Sequence, residues 1–321
     1  MEVLHTTASE RKNTAMTNEP TRVQGLLAAL WAVFLCWIAI LEPKGGLAMT
    51  EASEVETTSV RKAVVLYASF DDAVKANLGG GELTVNTRFG PPAEAEKHVF
   101  EKGFNENVFR IAKGKGVHGG ALEVVDVLPN NGRIFFPAKG NIAFKKEGWD
   151  GAVSLWINTD PTELIKSRFC DPVQITQKGA NNGGIWCDFN DAKPRDMRMG
   201  IFPAARAGQS PIKEDDPQAP LIRVPRVGFK AGEWHHLVLN WKNCDTGKAD
   251  AHAAFYVDGR LIGDVKDRDI PMDWDLEKAG IYVAVNYVGL LDEFAVFNRS
   301  LTPTEIELLH QQPALLSGLG K

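Results

Sequence analysis

GEWHHLVLNW (232–241), AHAAFYVDGRLIG (251–263) and GIYVAVNYVGLLDEFAVFNRSL (280–301) decide the fold. In the first, Leu237, Leu239 and Trp241 fall on one side of an extended chain. Trp234, His236, Val238 and Asn240 fall on the other, which is the period of a strand with unlike faces. Phe255 and Val257 repeat the pattern, and Asp258-Gly259 follows them between two apolar runs. A type I′ turn needs two residues at positive φ, and Asp-Gly supplies them at little cost. Ile281, Val283 and Val285 then lead into 290–297. The C-terminal third therefore reads as consecutive antiparallel strands, and the preceding chain supplies what they pack on.

The W-H-H strand, the Y-V-D-G hairpin, the closing D-E strand and the N-R-x-L segment come in a telling order. In that order they resemble the laminin-G-like jelly-roll modules of the concanavalin A-like lectin/glucanase superfamily. The resemblance covers 63–311 and is weakest between Gly79 and Gly132. It implies an all-β jelly-roll sandwich of two curved antiparallel sheets with one short C-terminal helix. Thr302-Pro303-Thr304-Glu305 marks that helix: an N-cap Thr, Pro at the first helical position and Glu at the third, a capping box.

Upstream, 26–41 is LLAALWAVFLCWIAIL, sixteen residues without a charge. Arg22 precedes it, and Gly46-Leu47-Ala48 places small residues for a cleavage after Ala48. That is the order of a secretory signal. The run is shorter than the roughly 17–25 apolar residues of a bilayer span. Residues 1–48 are thus expected to be a signal peptide, with an uncleaved membrane anchor as the alternative. Residues 49–62, acidic and without aromatics, read as a flexible tether, and 312–321 as a tail. Between them, 63–311 exceeds a mean domain but suits one all-β unit. Many turns between short strands account for the 30 glycines and 17 prolines.

The signal implies a secreted or cell-envelope protein. The net charge of −5 excludes the basic field that nucleic acid requires and any polybasic lipid-binding segment. Three cysteines follow the cleavage point: Cys170, Cys187 and Cys244. Cys170 and Cys187 flank a predicted hairpin and could pair in an oxidising compartment, or all three could stay reduced.

Catalytic members of the superfamily carry Glu-x-Asp-x-x-Glu on a strand, so that alternation aims the carboxylates at one face. The chain lacks that motif, and also G-x-S-x-G and H-E-x-x-H. His235 and His236 point to opposite faces of their strand and do not chelate one ion. Trp186 (GGIW) and Trp274 (MDWD), near loops, are the expected exposed platforms for sugar. Asp292 or Glu293 must point inward whichever face is buried, and a buried carboxylate needs a partner. The resemblance puts Asp71 or Asp72, ending the first strand, near Asp292, and implies a structural Ca²⁺ there. Backbone N–H donors or Arg299 are the other partners open to Asp292. The charged, proline-rich excursion 206–220 is either a binding loop or a solvated insertion.

The reading is an exported, non-catalytic binding module for a polysaccharide, a glycoprotein glycan or a surface protein. A glycoside hydrolase or lyase with loop-borne carboxylates, and a structural cell-envelope protein, are the alternatives.

Overall fold

A computed structural model describes residues 45–91 and 97–320, with side chains from Glu54 onward. Two compact units divide the chain, Met1–Met49 and Thr50–Lys321. The predicted apolar run 26–41 lies outside the described residues. Among those described, no helix is long and apolar enough to cross a membrane.

In chain order the strands are β1 (Val64–Ala68), β2 (Leu78–Gly79), β3 (Asn86–Phe89), β4 (Val99–Lys102), β5 (Phe109–Ile111), β6 (Leu122–Val124), β7 (Arg133–Pro137), β8 (Trp149–Asn158) and β9 (Cys170–Thr176). They continue as β10 (Gly184–Phe189), β11 (Met197–Phe202), β12 (Leu221–Val224), β13 (His235–Cys244), β14 (Ala251–Val257), β15 (Arg260–Arg268), β16 (Gly280–Val285) and β17 (Gly289–Phe297). One sheet runs β15-β14-β13-β8-β17-β1-β2, with β6 also on β17 and β5 on β6; the other runs β12-β11-β10-β9-β16-β7-β3-β4. Both sheets are antiparallel, and the first and last strands are neighbours as expected. The predicted sandwich is present.

The core between the sheets takes one side of each strand, including Leu237, Leu239 and Trp241 of β13 and Val153, Leu155 and Ile157 of β8. Strict alternation fails at several places, including β9 and β13, and at two residues of positive φ in β16 and β17. Ala284 has φ of 54° and Glu293 of 49°. The first shifts the phase of β16, so that Val285 leaves the core for the outer side, beside Phe135 and Tyr282. The second belongs to a bulge in β17 between Asp292 and Ala295, and it buries both Asp292 and Glu293. An extra residue in one strand bends it and re-aims the side chains on either side.

The acidic segment expected as a flexible tether is helical: α1 spans Gly45–Ala63. Its last turns are held by tertiary contacts that composition does not reveal. Val60 is buried, Ser59 Oγ donates to Glu305, and Arg61 donates to the carbonyls of Leu315 and Ser317. The capped helix α2 (Pro303–Gln311) has both reciprocal bonds of the capping box, and the expected tail 312–321 begins with a 3₁₀ turn, Pro313–Leu316. Together these elements cover the outer face of the nine-stranded sheet, where Tyr67, Val238, Tyr256, Phe297, Ile306 and Leu316 form a second apolar cluster. His236 is sealed there, its Nε2 2.8 Å from Ser154 Oγ and its ring stacked on Trp156. His235, on the opposite face, meets Asp258 at 2.9 Å.

Candidate functional site

The outer face of the eight-stranded sheet is built differently. Core residues on β9, β10 and β11 alternate with polar and aromatic ones, and the register aligns the latter into two rows across the strands. One row passes through Phe135, Tyr282, Gln174, Trp186 and Gly200. Beside it runs a row of charge: Arg88 opposite Arg133, then Asp171 on β9, then Asp188 opposite Arg198, with Arg223 at the edge. Five of these six are buried, and only Arg223 is exposed.

The middle of this row is tightly partnered. Arg198 grips both oxygens of Asp188, Nε at 2.8 Å and Nη2 closer. Its Nη1 reaches Glu214 at 2.7 Å, and Asn181 also donates to Glu214. Glu214 belongs to the proline-rich excursion, so that loop folds back over the sheet instead of standing in solvent. Burial pushes the Asp188 carboxyl up to about 6 against the pull of Arg198. Burial, then Asp188, push Asp171 well above the carboxylate range, opposed by Arg133.

Beside this row the same loop walls an open cleft of about 700 Å³, bordered by Phe169, Asn181, Asn190, Arg198, Glu214 and Arg223. Its size lies within the roughly 300–1,000 Å³ of small-ligand sites. Phe169, at 42% exposure, is the aromatic that the cleft offers to a ligand.

Neither tryptophan expected as a platform is exposed. Trp186 is 1% exposed, its ring stacked on Phe202 at 5.5 Å between centroids and covered by Arg198. Gly200 makes room for it: a Cβ there would stand 2.4 Å from the indole. Trp274, 5% exposed, packs in the core with Trp149 and Phe144 and donates to Gly183 O. A large ring beside a loop is still a large apolar surface, and both loops close over their rings. The cysteines are likewise buried, and all three are free.

The predicted metal residues behave in three ways. Asp72 is exposed. Asp71 and Asp292 both reach the glycine-rich loop 116–120. Gly120 N–H donates to Asp71 Oδ1 at 2.9 Å, and His118 N–H to Asp292 Oδ2 at 3.3 Å. A Cβ at Gly116 would come within 2.5 Å of Asp292, and one at Gly119 within 2.0 Å of Asp71, so the loop must be glycine to lie this close. Beside them, Glu293 accepts from the Tyr67 hydroxyl at 2.7 Å, while its Oε1 is buried without a partner. Burial, then Glu293, push Asp292 up to about 8. Burial also raises Glu293 to about 8. Among the described residues no three such side chains converge on one cation position. Asp71 and Asp292 thus each accept an N–H bond from the same loop, beside the buried Glu293.

A laminin-G family model of the Concanavalin A-like lectin/glucanases superfamily matches residues 140–307, more than half of the chain. The chain belongs to this superfamily. No curated protein matches it in sequence. Among solved structures, it is similar to domain 4 of AbnA, a GH43 extracellular arabinanase from Geobacillus stearothermophilus, in complex with arabinotriose. The identity is 16%, with 78% of this chain and 100% of that chain covered and a TM-score of 0.46. It is similar to the binding domain of Paraclostridial Mosquitocidal Protein 1, at 13% identity over 79% and 53% of the two chains, TM-score 0.48. The botulinum neurotoxin serotype D ligand binding domain in complex with N-acetylneuraminic acid is also similar, at 11% identity over 80% and 52%, TM-score 0.48. The chain thus spans about half the length of the two toxin domains.

Proposed function

We propose that this protein is an exported, non-catalytic module that binds carbohydrate on the outer face of its eight-stranded sheet. The observation that carries the reading is the charged and aromatic double row beside the cleft of about 700 Å³. Sugars are bound by planar hydrogen-bonding groups and ring faces together, and the cleft offers both in Glu214, Arg223 and the exposed ring of Phe169. Asp188 has both oxygens engaged by Arg198, which suits an anchoring pair better than a nucleophile. The structures named above with arabinotriose and N-acetylneuraminic acid make glycans the first ligands to screen.

The test is a glycan-array screen of the full chain, followed by calorimetry on the hits with wild type and Glu214→Ala. Binding that the variant weakens supports the site; an array without hits refutes the reading. Reducing-end release from the same glycans tests the hydrolase or lyase alternative, and no release is expected. Export is part of the proposal, and N-terminal sequencing of the mature protein is expected to begin at Met49. A full-length product in the membrane would replace cleavage with anchoring.

The proposal includes a structural Ca²⁺ held by Asp71 and Asp292 with main-chain oxygens of the adjoining loop. Its contribution would be to neutralise Asp292, a carboxylate otherwise buried beside Glu293.

A further inference from the structure

Arg88 and Arg133 close one end of the charged row, paired across β3 and β7. They are 4% and 6% exposed. A buried guanidinium carries a full charge and five donor hydrogens, and it ordinarily finds acceptors for them. Arg88 Nη1 makes one long contact, 3.5 Å to the Tyr282 hydroxyl, and Arg133 Nη1 another, 3.4 Å to Gln174 Oε1. Nε and Nη2 of Arg88, and Nε of Arg133, are buried with no acceptor in reach. At the opposite end of the row Arg198 has two carboxylate partners, Asp188 and Glu214. Among the described residues neither Arg88 nor Arg133 has one.

The two guanidinium carbons lie 5.1 and 6.0 Å from the centroid of the Tyr282 ring, so like charges share one ring. Burial and the neighbouring Arg88 lower Arg133 to about 10. Asp171 acts on Arg133 in the opposite sense, but burial and Asp188 favour its neutral form. The free edge of Arg88 is the Nε–Nη2 edge, whose two parallel N–H bonds match the two oxygens of a carboxylate or a sulfate.

We propose that Arg88 and Arg133, over Tyr282, recognise a carboxylate or sulfate group of the bound sugar, so that the ligand is an acidic glycan. This rests on the glycan reading of the same sheet face. The donors are buried, so the group must displace what now covers them. A contact at this depth is screened little by salt, unlike a surface attraction.

Calorimetry on the full chain compares a uronic-acid oligosaccharide, its sulfated form and its carboxyl-reduced neutral form, at low salt and at about 0.5 M salt. An acidic form is expected to bind roughly tenfold more tightly than the neutral one at both salt levels, the span of one charge-assisted contact. Arg88→Gln and Arg133→Gln are expected to remove that preference, so that acidic and neutral forms bind alike. Whether the uronate or the sulfated form binds more tightly identifies the group. Equal binding of acidic and neutral forms overturns the inference and leaves the glycan reading standing. If no sugar binds, the glycan reading falls and wild-type NMR of the arginine Nε–Hε signals decides. Saturable shifts of Arg88 and Arg133 with sodium sulfate, absent with sodium chloride at equal ionic strength, keep the anion site with a free anion as its source. Unshifted signals overturn it. This last measurement needs no variant, so it stands even if a substitution prevents folding.

Discussion

Asp292→Asn is expected to stabilise the calcium-free protein at neutral pH and to abolish its response to calcium. Asp292 is fully buried, and its carboxyl is raised from 3.8 to about 8 by burial, then by Glu293, against the bonds from His118 and Glu293 N–H. The sign follows from the direction of the shift. The folded state holds the proton more tightly than the unfolded chain, so the associated stability is fully present below about pH 4 and declines as pH rises toward about 8. At about 1.4 kcal/mol per pH unit, the loss by pH 7 approaches about 4 kcal/mol. Asparagine removes this titration. Its one carbonyl oxygen keeps the 2.9 Å bond from Glu293 N–H but not the 3.3 Å bond from His118 N–H, which costs about 1 kcal/mol. In chelator at pH 7 the variant is therefore expected to be more stable by about 2–3 kcal/mol, the advantage vanishing near pH 4. Calcium cancels the advantage, since an ion at a hundred times its Kd stabilises wild type by about 2.7 kcal/mol. Urea melts across this pH range, with chelator and with calcium, supply both comparisons. A wild-type stability flat in pH and indifferent to calcium would refute the linkage and leave Asp292 as an acceptor of backbone bonds.

Three further outcomes are expected. His236 is lowered from 6.5 to about 3 by burial, then by His310. Its neutral form is favoured on folding, so stability is lost as pH falls below about 6.5, by about 2 kcal/mol at pH 5; His236→Gln should remove that part of an acid melt series. Gly259→Val is expected to lower stability by at least about 1 kcal/mol, because Gly259 has φ of 75° and a Cβ there would meet His310 at 3.2 Å; an unchanged melting temperature counts against it. Arg299→Met should free α1 as well as α2, since Arg299 bonds both Ser59 and Glu305. Faster amide exchange in both helices is the expected signature, and exchange confined to α2 would contradict the joint clamp.

The sandwich was legible because burial on one side leaves a period of two, which β8 and β14 obey and β13 obeys from Leu237 to Trp241. The Asp258-Gly259 turn was legible because its backbone demands those residue types, and both have positive φ. The docking of α1 was not legible: an acidic segment looks like a tether until Ser59 and Arg61 find partners 246 and 254 residues away. Asp71 and Asp292 were legible as neighbours from the pairing of the first and last strands. The loop that holds them falls where the family likeness is weakest. The charged row was hidden differently. Its strands read I-W-C-D-F and M-R-M-G-I-F, core residues alternating with Trp186, Asp188 and Arg198. That alternation marks an outward-facing charge, but a motif of three carboxylates belongs to one strand, whereas these carboxylates and arginines are spread across several. The tryptophans misled because nearness to a loop says where a ring is attached and not whether the loop closes over it.

A β-sandwich has two outer faces, and this chain treats them oppositely. Over the nine-stranded sheet the chain ends deposit two helices on an apolar surface, where each buried side chain adds roughly 1.5–3 kcal/mol. Over the eight-stranded sheet lie buried arginines and aspartates. Taking such charges from water costs several kcal/mol each unless partners offset it, and an apolar replacement is often as stable or more so. Stability alone therefore accounts for the first face and not for the second. The Asp188–Arg198–Glu214 arrangement offsets its own cost through three close contacts; among the described residues the Arg88–Arg133 end has no carboxylate partner. Buried guanidinium donors without acceptors at that end of the row gain most when a ligand supplies the missing acceptors. The same imbalance predicts that Arg133→Met, which removes one of the two like charges, leaves the calcium-free, ligand-free protein at least as stable as wild type while weakening acidic-glycan binding. A large loss of stability in that variant would instead make Arg133 a structural partner of Asp171.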